Sequence, residues 1–283
     1  ALPILGTLVN PGDEVLMPDP CYACNANFVH LYGGVPVYMP VGAGQAFQPG
    51  LADIEAAWTA RSRGVVLASP ANPTGTLIDR AEFTSIAAWV HDRGGFVIMD
   101  EIYQELVYGQ DPWTALSACP DTWVVNSFSK YFGMTGWRLG YGVMPKWMAE
   151  AVGKLMVNSN SCTASFVQRA GIAALEGPQD CVDAMVAEFR RRRDAIHKGL
   201  NEVPGFRCPL PAGAFYAFAN VEGTGKSSKE IADILLTEAG VACLNGGSFG
   251  KHGEGYVRFS YANSLENIHE AVARIRRAAS FWT

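Results

Sequence analysis

The chain has 283 residues, of which 49% are hydrophobic and 17% charged, so it has enough apolar side chains for a substantial core in one or two domains. Its net charge of −5 comes without a broad basic surface, which argues against nucleic acid or an anionic membrane as a partner. No apolar run reaches the roughly 20 residues that cross a bilayer, and the first residues lack signal-peptide order, so we expect a cytoplasmic location.

The first half of the chain alternates short apolar runs with helix-like stretches. The runs predict strands at Glu14 to Met17, Val35 to Val41, Gly64 to Ala68, Phe96 to Met99, Trp123 to Asn126 and Leu139 to Val143. Among the helix-like stretches is Asp79 to Asp92, where Asp79 can cap the helix. This alternation predicts an α/β fold with a mostly parallel sheet covered by helices on both faces.

Before the first strand, apolar Ala1 to Leu5 resembles a helix cut part-way, so we expect that an N-terminal segment is missing.

The pattern changes after about Asn160. Helices are predicted at Gln168 to Leu175, Asp180 to Leu200, Lys229 to Ala239 and Leu265 to Ala278, and strands at Ala214 to Ala219 and Tyr256 to Ser260. These elements suit a smaller α+β domain whose boundary lies within the long helix. Arg190 to Arg193 lies inside that helix and is interpreted as a solvated face without chemistry.

Cys21-Tyr22-Ala23-Cys24 has the spacing of a redox or zinc motif. A zinc site would need a second ligand pair, and the sequence has no second such pair of cysteines and no histidine pair at ligand spacing. We therefore assign no metal site.

Two segments place polar side chains where predicted strands end. Ser69 to Gly75 forms a turn that presents Asn72 after an apolar strand. Asp100 ends the apolar run that begins at Phe96. A buried carboxylate without a partner would take up a proton, so Asp100 needs either water or a cation.

Two further segments supply cations. Asn126 to Gly140 places Lys130 among small and aromatic residues, with Arg138 eight positions later. A partly desolvated lysine has a lowered pKa and can act as an amine nucleophile and proton carrier. The fourth segment, Gly255 to Ser260, is strand-like and contains Arg258.

In this order the four segments resemble the fold-type-I, class I/II aminotransferases that use pyridoxal 5′-phosphate, closest to their aspartate-aminotransferase-like bacterial branch. The resemblance covers essentially the whole chain and includes the stretch Ala212 to Phe218. It implies a seven-stranded type of mostly parallel sheet. Residues 1–185 would form a large cofactor-binding domain lacking its N-terminal part, and residues 186–283 a small C-terminal domain. It also implies a homodimer, with Asn158 to Thr163 in the interface.

The resemblance implies a role for each candidate residue around the cofactor ring. Lys130 would hold the cofactor as a Schiff base and, once released, move the proton at the substrate α-carbon. Asp100 would pair with the protonated pyridine nitrogen. Asn72 and Tyr103 would donate to the phenolic oxygen, and Tyr22 would stack on the ring.

By the same resemblance, Ser127 and Arg138 would hold the cofactor phosphate, and Arg258 would bind the substrate α-carboxylate, with Asn72 beside it. The implied reaction moves an amino group between an L-amino acid and a 2-oxo acid by a ping-pong mechanism through pyridoxamine phosphate. Two alternatives stay open. One is a carbon–sulfur β-lyase on the same scaffold, and the other is an aminotransferase-like sensor domain of a transcription regulator.

Overall fold

The computed structural model describes residues 2–283. Its first part contains α1 (Leu2–Leu8), β1 (Glu14–Asp19), α2 (Cys24–Leu31), β2 (Val35–Pro40), α3 (Leu51–Ala57), β3 (Ser62–Ala68), α4 (Arg80–Asp92), β4 (Phe96–Asp100), β5 (Trp123–Ser127), β6 (Gly140–Val143) and α5 (Lys146–Asn160). These six strands form one sheet in the order β2-β1-β3-β4-β5-β6. All neighbouring pairs are parallel except β5 and β6. The predicted mostly parallel sheet is confirmed, with six strands among the described residues.

Side chains that alternate along each strand form two separate cores, one on each face of the sheet. On β1, Val15 and Met17 pack with α1, α2 and α5, whereas Leu16 points to the opposite face and packs with α3 and α4. The parallel strands are therefore buried on both faces, which explains their continuous apolar sequences. The predicted cap is confirmed, since Asp79 Oδ1 accepts from the N–H groups of Ala81 and Glu82 at 2.8 and 3.0 Å.

The second part contains α6 (Ser165–Glu176), α7 (Asp180–Asn201), β7 (Tyr216–Asn220), α8 (Ser228–Thr237), β8 (Leu244–Asn245), β9 (Tyr256–Ser260) and α9 (Leu265–Ala278). Its three strands form an antiparallel sheet in the order β7-β9-β8. A third core lies between this sheet and helices α7, α8 and α9. The proposed domain boundary between residues 185 and 186 falls inside α7 and stays a prediction.

Most predicted elements have bounds within three residues of the observed ones, and two local predictions need a physical correction. Strand β7 begins at Tyr216, two residues later than predicted, because Ala214 has a φ of 57° and leaves the extended conformation. Arg193 is buried rather than solvated: its guanidinium lies 4.9 Å from the centre of the Tyr108 ring and donates to Asp194 Oδ1.

Among residues 2–283, no helix combines the length and apolar character needed to cross a membrane.

Candidate active site

Neighbouring strands of the large sheet bring three of the predicted residues to one edge. Strand β3 is followed by the turn that carries Asn72, β4 ends at Asp100, and β5 ends three residues before Lys130. Because β3, β4 and β5 are parallel and adjacent, their carboxyl ends lie side by side. Ligands of open α/β sheets bind at this edge.

Asp100 is a carboxylate without a cationic partner among the described residues. It accepts the backbone N–H of Ile102 at 3.0 Å, and no lysine, arginine or histidine within residues 2–283 forms an ion pair with it. Asp100 is partly exposed, but its carboxylate is buried deeply enough that desolvation raises its pKa. The hydrogen bond from Ile102 lowers the pKa by a smaller amount. Such a carboxylate is suited to a cationic ligand.

Lys130 lies above a pair of aromatic rings and is half-buried. Its Nζ is 5.6 Å from the centre of the Phe215 ring and 6.0 Å from that of Tyr103. Desolvation is the largest cause that lowers the pKa of Lys130, and the positive charges of Arg138 and Arg258 lower it further. These surroundings favour the neutral amine, which is the nucleophilic form.

Arg258 comes from β9 in the second sheet and lies between two aromatic rings. Its guanidinium carbon is 4.3 Å from the centre of the Tyr216 ring and 4.7 Å from that of Phe249. Nη1 donates to Asn72 Oδ1 at 2.8 Å, and Nε is buried without a hydrogen-bond partner in the described chain. Desolvation lowers the pKa of Arg258, yet an arginine stays charged in proteins. An orphaned donor on a fixed guanidinium is suited to a carboxylate ligand.

Tyr103 shares a hydrogen bond with a residue that sequence reasoning did not assign. Its hydroxyl lies 2.8 Å from that of Tyr216, and both rings are buried. Burial first, and then the neighbouring Tyr216, raise the pKa of Tyr103, so the phenol keeps its proton. Tyr216 thus joins Tyr103 to Arg258. The stretch Ala212 to Phe218 was noted in the sequence, but nothing in it indicated this contact.

The Asn72 turn is tied to the segment that leads into β7. The Gly75 carbonyl accepts the N–H groups of Ala212 and Gly213, both at 2.9 Å. Gly75 has a φ of 68°, and a Cβ there would meet the Tyr216 carbonyl oxygen at 2.9 Å. Only glycine allows this close approach, which sets Asn72 beside Arg258.

The three remaining candidates are all at least partly exposed. Ser127 accepts the N–H of Ser129 at 3.1 Å, and its hydroxyl donates to the Leu139 carbonyl at 2.9 Å. Arg138 is exposed, and the antiparallel pairing of β5 with β6 brings its segment next to Ser127. Tyr22 is 40% exposed; a hydrogen bond with Cys24, followed by burial, raises its pKa to about 12.

These residues fit pyridoxal phosphate. Lys130 offers an amine with a lowered pKa, Asp100, which no cation among residues 2–283 pairs, is suited to a protonated ring nitrogen, and the exposed Arg138 is suited to a phosphate. Asn72 uses its Oδ1 for Arg258 and keeps its amide N–H groups for a ligand oxygen.

Comparison with known proteins gives one consistent family. Residues 3–275 match the family model described as "Aminotransferase class I and II". The chain is 36% identical over 279 residues to the aspartate aminotransferase of Pyrococcus abyssi, covering 96% of this chain and 72% of that protein. It is 34% identical over 279 residues to the aromatic-amino-acid aminotransferase 2 of Thermococcus litoralis, again covering 96% and 72%. The crystal structure of the aspartate aminotransferase from Rhizobium meliloti superposes with a TM-score of 0.94 at 32% identity, covering 100% of this chain and 74% of that one.

Proposed function

This chain belongs to the class I and II aminotransferases, and from that membership we propose that it transfers an amino group from an L-amino acid to a 2-oxo acid in two separate half-reactions, with pyridoxal 5′-phosphate attached to Lys130. One observation carries the proposal. Within residues 2–283, Lys130 has a pKa lowered in part by Arg258, Asp100 has no cationic partner and Arg258 has an orphaned donor, and together these features support one site. The cofactor, when bound, supplies an electron sink for the charge left on the substrate α-carbon.

Arg258 would bind the carboxylate that every amino acid and every 2-oxo acid has in common. Its guanidinium is held by two aromatic faces and by Asn72, so the direction of its free donors is fixed before the substrate arrives. This pre-organisation orients the substrate α-carbon and reduces the entropy lost on binding. One site can then serve both half-reactions.

Lys130 would move the proton. Its Nζ would take the proton from the substrate α-carbon and later return one, because a lowered pKa raises the share of the neutral amine that can accept a proton. The exposed ring of Tyr22 would cover the cofactor on the side open to solvent.

The other residues would hold and tune the cofactor. Asp100 would pair with the ring nitrogen and keep it protonated. The Tyr103 hydroxyl and the Asn72 amide would donate to the phenolic oxygen, and both are fixed by bonds to the second sheet. Arg138 would bind the phosphate with a charged fork, and the Ser127 hydroxyl would turn from the Leu139 carbonyl to donate to it.

A homodimer and a cytoplasmic location complete the proposal. Large apolar side chains on α5 and α6 are exposed, namely Trp147 at 73%, Val157 at 65% and Phe166 at 68%. Exposed apolar patches of this kind often mark an interface. All seven cysteines are free thiols, as expected in a reducing compartment. Gel filtration with light scattering should give twice the chain mass, and a stable monomer at micromolar concentration would contradict the dimer.

Isotope exchange tests the two half-reactions. L-aspartate labelled with ¹⁴C is mixed with oxaloacetate, or labelled L-phenylalanine with phenylpyruvate, and no second pair is added. Transfer of label to the oxo acid, absent in Lys130→Ala, supports the proposal and identifies the preferred side chain. Exchange that requires a second pair would contradict it. Release of pyruvate from a cysteine conjugate would indicate the β-lyase, but the relatives described above are all named aminotransferases and favour neither it nor the sensor domain.

A further inference from the structure

A loop between β8 and β9 packs against Arg258. It runs from Gly246 to Gly253 through two short 3-10 turns, and we call it the arginine loop. Phe249 in this loop is buried, and its ring forms one of the two faces between which the Arg258 guanidinium lies. The position of the loop therefore determines one wall of the carboxylate site.

A buried carboxylate from the other sheet holds this loop. Asp19 ends β1, and its side chain is only 5% exposed. Its Oδ2 lies 2.9 Å from Nδ1 of His252, and its Oδ1 accepts the His252 backbone N–H at 3.2 Å. The N–H of Cys21 donates to the Phe249 carbonyl at 2.9 Å. Three hydrogen bonds thus join the end of β1 to the arginine loop.

Gly250 lies at a close contact between the arginine loop and the side chain of Asp19. It lies between Phe249 and His252 with a φ of 136°, a conformation that favours glycine. A Cβ at this position would overlap the carboxylate of Asp19. The loop backbone is therefore packed directly on the side chain that binds it.

The ends of the loop are fixed separately. At one end Asn245 Oδ1 accepts the N–H of Ser248 at 3.0 Å. Just beyond the other end, the Glu254 carboxylate accepts the N–H and hydroxyl of Ser228 at 2.8 and 2.7 Å. The middle of the loop, which contains Phe249, is the part bonded to the end of β1.

We infer that Asp19 and His252 are positioning residues that hold Phe249 against Arg258 and so keep the guanidinium aimed at the substrate carboxylate. This inference rests on the proposed role of Arg258. Because the pair acts through Phe249, its loss should weaken binding of both the amino acid and the oxo acid. It should leave proton transfer by Lys130 nearly unchanged.

Chemical labelling of Arg258 tests the inference. The wild-type protein and its variants are labelled after they have been loaded with cofactor. Phenylglyoxal modification is followed by peptide mass spectrometry, with the exposed Arg190 of α7 in the same digest as the reference. His252→Leu removes the side-chain bond to Asp19, and His252→Asn keeps an N–H donor close to the position of Nδ1. His269→Leu, at an exposed histidine of α9, is the matched control.

We expect His252→Leu to speed labelling of Arg258 about 5–20-fold and to raise KM for both substrates by a similar factor, with kcat close to wild type. His252→Asn should restore much of the loss, and His269→Leu should match wild type. An unchanged labelling rate in folded His252→Leu, or a fall in kcat at unchanged KM, would overturn the inference. If His252→Leu does not fold, Asp19→Asn replaces it, with the same two criteria. Labelling needs no turnover, so a protein that labels as expected but transfers no amino group refutes the proposed function alone.

Discussion

Replacing Asp100 with asparagine should separate stability from function. Among residues 2–283, the Asp100 carboxylate accepts one hydrogen bond, from the N–H of Ile102, and burial raises its pKa. Asparagine keeps an accepting oxygen for Ile102 and removes the charge. We therefore expect Asp100→Asn to make the cofactor-free protein more stable at neutral pH while nearly abolishing amino-group transfer.

The size of the effect follows from the surroundings of Asp100. A fully buried charge without a partner costs about 3–5 kcal/mol, and a hydrogen bond to a charged group returns about 1.5–3 kcal/mol. Because solvent partly reaches Asp100, we expect a net gain of about 1–2 kcal/mol from the substitution. For a chain of this size that gain raises the melting temperature by about 2–6 °C.

The pH dependence provides the sharper test. The pKa of Asp100 is raised in the folded protein, so wild type is stabilised when this group takes up its proton. That contribution is complete below the ordinary value of 3.8 and is lost as pH rises through the raised value. The advantage of Asp100→Asn should be full at neutral pH and shrink as pH falls toward 3.8 in calorimetry of cofactor-stripped protein. A less stable variant at neutral pH, or an advantage that does not change with pH, would refute this reasoning.

Three further predictions concern other residues of the candidate site. Arg258→Lys keeps the charge but loses the planar fork, so steady-state kinetics should show KM for both substrates raised about 10–100-fold; an unchanged KM contradicts carboxylate binding there. Tyr103→Phe and Tyr216→Phe should show a coupling of about 1 kcal/mol in a double-mutant cycle measured by urea unfolding, because their hydroxyls share a buried bond, and additive effects would contradict it. Arg138→Gln removes a charge that lowers the pKa of Lys130, so trinitrobenzenesulfonate labelling of that lysine in cofactor-free protein should reach its midpoint at higher pH than in wild type; an equal midpoint would argue against coupling.

The elements that the sequence predicted well are those in which local pattern and tertiary packing agree. Strand Tyr256–Ser260 and helix Leu265–Ala278 have the predicted bounds, because the strand is flanked by turn residues and the helix begins after the capping Ser264. The sequence also indicated the sheet edge that holds the site, which is formed by the carboxyl ends of β3, β4 and β5. Each of these strands is an apolar run followed by a segment that contains Asn72, Asp100 or Lys130.

The residues that the sequence could not assign depend on contacts between distant parts of the chain. Tyr216 meets Tyr103 across 113 positions, and His252 meets Asp19 across 233. Nothing near either tyrosine or near Asp19 in the sequence signals its partner. The prediction that Arg193 is solvated was wrong for a similar reason. Its burial depends on the Tyr108 ring, which packs on it from another segment of the chain. Such pairings are set by the way the two sheets meet.

Reductive trapping tests the central claim most directly, which is that Lys130 attaches the cofactor. The protein is incubated with pyridoxal phosphate, treated with borohydride and digested, and each lysine peptide is weighed by mass spectrometry. We predict that the added mass of the reduced cofactor is found on Lys130, that it disappears in Lys130→Ala, and that the exposed Lys154 stays unmodified as an internal control. Stoichiometric modification of another lysine, with Lys130 unlabelled, would contradict the account.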